Sequence, residues 1–170
     1  NFANNPRNQK LKLHKDPKFS IPFVMPKYLI NPTTIRCFNS LYYNLSGNSK
    51  ARRQTHYDNF FFPLDKIKNW NRIYGDAGFL QYQFVLPKLS SSIALKSILE
   101  RIVDSGEGSP LAVLKLFGKQ NRNYLSFPME GYTLALDFKN TPKVHQLLIE
   151  LDSIVNNNNG RIYLAKDSRI

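Results

Sequence analysis

Hydrophobic positions recur along this chain in two rhythms, and each change of rhythm marks a change of expected element. From Phe79 to Leu86 the apolar side chains alternate, with Leu80, Tyr82, Phe84 and Leu86 on one side and Gln81 and Gln83 on the other. This predicts a half-buried strand, closed by Pro87. Ile93, Leu95, Ile98, Leu99, Ile102 and Val103 follow at helical spacing behind Ser90 to Ser92, predicting a capped amphipathic helix that stops in the polar loop 104–110. Two strands are expected over 111–117 and 132–138, joined by a polar connection containing Gly118 and Gly131. A second helix, from Thr141 to about Asn156, buries Val144, Leu147, Leu148, Leu151 and Val155. It ends in the asparagine run 156–159, where Gly160 is expected to take the left-handed conformation, and a last strand is expected over 161–165. The order β-α-β-β-α-β specifies an α+β fold, a ferredoxin-like antiparallel sheet with two helices on one face. Leu95, Ile98, Leu114, Leu136, Leu148 and Leu151 are expected in its core.

Ahead of this unit the pattern is looser. Residues 1–30 mix prolines (Pro6, Pro17, Pro22, Pro26) with basic and apolar residues, which favours an extended lead-in lying against something else. Asn31 and Pro32 form a helix start, and Ile35, Phe38, Leu41, Tyr42 and Leu45 supply an apolar stripe. A polar loop over 49–58, the aromatic run Phe60 to Phe62 and a short helix over 65–71 complete this part. Three regions result: an extended basic lead-in over 1–30, a helical lead-in over 31–77, and a ferredoxin-like domain over 78–170.

Charge is distributed unevenly. Residues 1–72 hold 13 Lys/Arg against three acids, net +10, whereas residues 73–170 hold 11 against nine, net +2. A basic lead-in attracts anions, be they nucleic acid, a phosphorylated substrate or lipid headgroups, although Lys10, Lys12, Lys15 and Lys18 serve equally as a solvated face. The single Cys37 leaves no intramolecular disulfide among these residues, and on its helix it is expected to be a small buried hydrophobe. His14, His56 and His145 are scattered, so no metal site is expected. No apolar run reaches the ~18 residues of a membrane span, and a soluble chain is expected.

If both helices cover one sheet face, alternation assigns the side chains of the other. These are Gln81 and Gln83 from the first strand, Val113, Lys115 and Phe117 from the second, Thr133, Ala135 and Asp137 from the third, and Tyr163 from the fourth. Amides, a lysine and a phenol among small residues suit a polar ligand lying flat on the sheet. A solvated outer face is the plain alternative, and Val113 and Phe117 weigh against it.

Six segments stand in fixed order: 62–65 (FPLD), 70–75 (WNRIYG), 78–84 (GFLQYQF), 109–118 (SPLAVLKLFG), 125–128 (LSFP) and 163–169 (YLAKDSR). Together they resemble the substrate half of FAD-linked oxidases, in particular the decaprenylphosphoryl-ribose 2-oxidase family, over about residues 20 to 169. The resemblance implies that the open sheet face roofs a flavin ring, with Gln81, Gln83, Val113, Lys115, Phe117, Thr133 and Ala135 facing flavin or substrate. It further implies catalytic roles for Lys166, which falls on the family's active-site lysine, and for Tyr163. Ala135 and Thr133 depart from mycobacterial members, which have cysteine and asparagine there. The reaction implied is oxidation of a secondary hydroxyl on a glycosyl substrate, an anionic polyprenyl-phosphate-linked sugar. Implied partners are the protein's own FAD-binding domain and a short-chain reductase, with a cytoplasmic location and peripheral contact at the inner membrane.

No glycine-rich phosphate cradle occurs in the 170 residues. The FAD-binding domain is therefore expected to be absent from this chain, and the isolated chain to be colourless and inactive. The alternatives are a basic nucleic-acid-binding module of the same architecture or a small-ligand regulatory module. Nucleic acid is not expected, because the third strand turns its aromatics to the presumed core and small residues outward.

Overall fold

The computed structural model of the protein describes residues 19–26, 28–46, 67–167 and 169. The aromatic run 60–62, the motif at 62–65, the loop 49–58 and Lys10, Lys12, Lys15 and Lys18 lie outside the described residues. The short helix expected over 65–71 lies partly outside them; within them the chain is a strand pair and a 3-10 turn.

Among the described residues, six strands and three α-helices follow in the order β1 (Phe19–Ser20), α1 (Pro32–Ser46), β2 (Ile67–Lys68), β3 (Phe79–Pro87), α2 (Ser91–Ser105), β4 (Leu111–Phe117), β5 (Gly131–Lys139), α3 (Pro142–Asn157) and β6 (Arg161–Ile162). Two 3-10 turns, Trp70–Tyr74 and Leu164–Lys166, complete the list. β3 to β6 form one antiparallel sheet in the order β4-β5-β3-β6. This α+β arrangement is compatible with a ferredoxin-like split. β1 and β2 pair separately in parallel, and Arg72 fastens them by donating to the carbonyls of Ile21 at 2.9 Å and Pro22 at 2.8 Å. Residues 19–25 of the lead-in thus lie against residues 67–72.

The period-2 pattern places Leu80, Tyr82, Phe84 and Leu86 of β3 and Leu134, Leu136 and Phe138 of β5 on the helix side of the sheet. Ala94, Ile98 and Ile102 of α2 and Val144, Leu147, Leu148, Leu151 and Val155 of α3 close the core over them. Each large aliphatic side chain buried here contributes about 1.5–3 kcal/mol. α3 starts as its sequence dictates, with Pro142 in the first turn and Thr141 Oγ1 accepting from the Val144 amide at 3.2 Å. At α1 the Asn31 side chain accepts from the amides of Thr33 and Thr34.

Several expectations need correction. Leu114 is 57% exposed and Leu95 is only half-buried. Leu114 stands on the edge strand, where the neighbouring flank of α2, with Leu99 and Val103, is itself exposed. From α1, Pro32, Ile35, Arg36 and Asn39 line a cleft along that flank, Ile35 packing beside Gly108. Cys37 is exposed rather than buried, as is nearly all of α1. The serines before α2 do not cap it: Ser90 Oγ instead donates to Asn158 O at 3.3 Å, tying the start of α2 to the end of α3. At the end of α3 the left-handed residue is Asn159, with φ 54°, not Gly160. Gly160 is needed for space, since a Cβ there would lie 2.7 Å from the Val85 carbonyl oxygen.

Candidate functional site

On the sheet face away from α2 and α3, strand register sets Gln81 beside Asp137, Gln83 and Val113 on either side of Ala135, and Lys115 beside Thr133. Tyr163 joins them because its amide donates to Gln83 O at 2.8 Å, although it lies just past β6. The sequence therefore brings these residues together through alternation alone. Gln81, Gln83, Val113 and Ala135 are half-buried, and Lys115 is exposed at the rim.

Both ends of this floor are roofed by irregular chain. At one end Trp70 and Tyr74 of the first 3-10 turn pack on Phe79, with ring centroids 5.1 and 4.8 Å away. At the other end the β4–β5 connection folds back over the sheet. There Phe127 stacks on Tyr163 at 4.6 Å and meets the edge of Phe117 at 5.9 Å, while Arg161 donates to Ser126 O and to Gln120 Oε1. Phe117 thus belongs to a wall of three rings. What remains open between the two roofs is the polar middle of the floor.

Burial changes the part played by two of the expected residues. Thr133 is 1% exposed, and its hydroxyl donates to Phe84 O at 2.7 Å while accepting from Gln83 Nε2 at 3.1 Å. It fixes the Gln83 amide nitrogen, leaving the amide oxygen as an acceptor. Asp137 is 2% exposed, and its Oδ2 is the one buried side-chain polar atom without a partner among the described residues. Burial raises its pKa, while a hydrogen bond from Gln81 and the charge of Lys166 pull it back. Tyr74, buried and facing the same carboxylate, has its phenol pKa raised as well.

Lys166 stands on the second 3-10 turn rather than at the end of a strand, because β6 stops at Ile162. Its amide donates to Tyr163 O at 3.0 Å. Beyond the turn, Arg169 ties the chain to α3. The Arg169 guanidinium binds the Asp167 carboxylate and Asp152, with 3.2 Å to Asp152 Oδ2, and lies 5.5 Å over the Tyr82 ring. Tyr82 in turn donates to Asp152 Oδ1 at 2.8 Å. This clasp was not expected from the sequence, where residues 167 and 169 look like solvated charges; only their spacing in the YLAKDSR motif hinted at it.

Arg169 holds the Asp167 carboxyl below the usual carboxylate range, despite burial. The resulting stability is therefore present above the ordinary carboxylate pKa and is lost as pH falls through the lowered value. Arg169→Met leaves the buried Asp167 carboxylate without its cation and Asp152 with Tyr82 alone, and is expected to cost about 3–5 kcal/mol. Hydrogen exchange at the Lys166 and Asp167 amides checks this, since both should open in the mutant and wild type should open only on strong acidification. Protection unchanged in the mutant would show that the clasp does not hold the turn.

No family model matches the chain. Compared with individual proteins, it is similar to part of an oxidase. Over 165 residues, 93% of this chain, it is 42% identical to decaprenylphosphoryl-beta-D-ribose oxidase of Mycolicibacterium smegmatis, and the match covers 35% of that protein. The chain spans about a third of the length of this relative. Over 77 residues, 45% of the chain, it is also 36% identical to an uncharacterized protein in the mprA 5' region of Streptomyces coelicolor, 21% of which is covered. The resemblance to the decaprenylphosphoryl-ribose oxidase family thus extends over nearly all of these residues.

Proposed function

We propose that the chain is the substrate-binding part of an FAD-dependent oxidoreductase that oxidises a secondary hydroxyl of a sugar carried on a polyprenyl phosphate. The observation that supports it most is the 42% identity to an oxidase across a chain whose open sheet floor carries amides and cations. Such a floor fits the ring end of a flavin cofactor and a sugar beneath it. It does not fit the cofactor's phosphates, for which these residues hold no glycine-rich cradle. When bound, FAD supplies the acceptor for the hydride leaving the alcohol carbon.

The residues of this chain supply the rest. Gln81 and Gln83 offer amides to sugar hydroxyls, Lys115 at the rim meets the phosphate, and Val113 and Ala135 keep the floor flat. Tyr163, fixed between Phe127 and the sheet, offers its hydroxyl beside Gln83. Lys166 places a positive charge where negative charge develops, or takes the alcohol proton when it is desolvated. A nucleic-acid reading finds less support, because the open-face residues of β5 are Thr133, Ala135 and Asp137, with no aromatic platform and one acid.

A short-chain reductase acting on the resulting ketone is the expected enzymatic partner. Contact with an anionic membrane surface suits a lipid-linked substrate. In its favour are the exposed Phe38, Leu41, Tyr42 and Tyr43 of α1 and the lack of any acid from residue 17 to residue 57. No helix among the described residues is long and apolar enough to cross a membrane. Sedimentation with anionic vesicles checks the contact, and failure to bind removes it from the account.

The flavin assignment is tested by the colour of the purified protein. The 170-residue chain alone is expected to be colourless, and the protein carrying its FAD-binding domain yellow, releasing flavin when denatured. Stoichiometric flavin on the chain alone, or none on the longer protein, would contradict the assignment.

A further inference from the structure

Strand register and turn geometry bring the turn that carries Lys166 to the part of the floor where Asp137 lies, with no ion pair between the two side chains in this structure. The Tyr163 amide on Gln83 O fixes the chain level with Gln83. β6 runs antiparallel to β3, and three residues of 3-10 helix advance about 6 Å. Two residues back along β3 span about 6.6 Å. Lys166 therefore comes level with Gln81. Asp137 stands directly opposite Gln81, one strand spacing of about 4.8 Å further in. A lysine stem crosses that gap easily.

The groups around Asp137 come from five elements. Gln81 of β3 and Leu111 of β4 flank it in register, and Ser109 of the preceding loop accepts its backbone amide at 3.0 Å. Tyr74 of the 70–74 turn faces its charge, and Lys166 of the last turn supplies the opposing cation. One carboxyl oxygen is left buried and without a partner, which is costly unless something arrives to satisfy it.

We propose that Asp137 is the positioning residue of Lys166: its Oδ2, unpartnered in this structure, is the inner acceptor toward which the ammonium turns across Gln81. When an anionic ligand pulls the ammonium outward, Oδ2 takes a proton from solvent, as its burial favours; when the ammonium returns, that proton leaves. The lysine thus has an inner position over the floor, at Oδ2, and an outer one at a ligand phosphate or a developing anion. This rests on the oxidoreductase reading only for the use to which the lysine is put.

The test has two arms. In this chain, the Asp137 carboxyl is titrated by carbon NMR, with and without Lys166→Met, a change at a half-exposed residue that leaves the core untouched. The midpoint is expected to move to higher pH in the mutant, and the same midpoint in both would overturn the proposal. In the FAD-loaded full-length protein, isosteric Asp137→Asn is expected to slow flavin reduction about 10-fold and to alter its pH profile, as misplacing a reacting group does. An unchanged rate and profile would also overturn it. A wild-type protein that does not reduce flavin with any glycosyl phosphate sinks the oxidoreductase reading while leaving the NMR coupling intact, so the two failures are distinguishable.

Discussion

Lys166→Ala, made in the full-length FAD-loaded protein, is expected to slow flavin reduction by about 100-fold or more, the scale of losing a positioned electrostatic stabiliser or base. The side chain stands on a turn held at both ends, by Tyr163 on the sheet and by Arg169 on α3, so its ammonium reaches the floor from a fixed base. A charge presented from a rigid support needs little reorganisation as the reaction proceeds, and its removal is felt mainly in the rate. Stability should change by no more than about 0.5 kcal/mol, because the side chain is half-exposed and outside the core. Single-turnover bleaching at saturating substrate separates the rate from binding. A mutant rate equal to wild type would reduce Lys166 to a solvated charge.

Gly131→Ala is expected to be the most damaging single change to the fold. Gly131 opens β5 and pairs with Pro87 on one side and Phe117 on the other. A Cβ added there would lie 1.9 Å from the Leu86 carbonyl oxygen, which is backbone and cannot turn aside. β3 or β5 would have to shift at the end of the floor roofed by the β4–β5 connection. The cost is about 3 kcal/mol or more, lowering the melting midpoint by about 6–12 °C for a chain of this size. Thermal unfolding followed by circular dichroism measures it. A midpoint within a degree of wild type would mean that β5 does not begin where the register places it.

The floor of the site was legible in the sequence because alternation is a local property. Leu80, Tyr82, Phe84 and Leu86 could face a core only if Gln81 and Gln83 faced away, and the structure has them so. The helices were legible for the same reason, through Val144, Leu148, Leu151 and Val155. What lies over the floor was not. Thr133 and Asp137 share the open-face parity yet are buried, next to irregular segments without a period: the 70–74 turn and the 118–130 connection. Beyond the turn that carries Lys166, Arg169 meets Asp152 and Tyr82, partners 17 and 87 positions away, and no local rule connects them. Leu114 reads as core by alternation, yet it is exposed. Whether an edge strand is covered depends on what packs beside it, and here α1 leaves it open.

The measurement that bears most directly on the whole account is anaerobic mixing of the full-length, FAD-loaded protein with a polyprenyl-phosphoryl pentose, following the flavin absorbance. The account predicts bleaching of the oxidised flavin in a single turnover with the lipid-linked sugar phosphate, and far slower bleaching with the free, uncharged sugar. Equal rates with both sugars, or a flavin that stays oxidised with either, would contradict it.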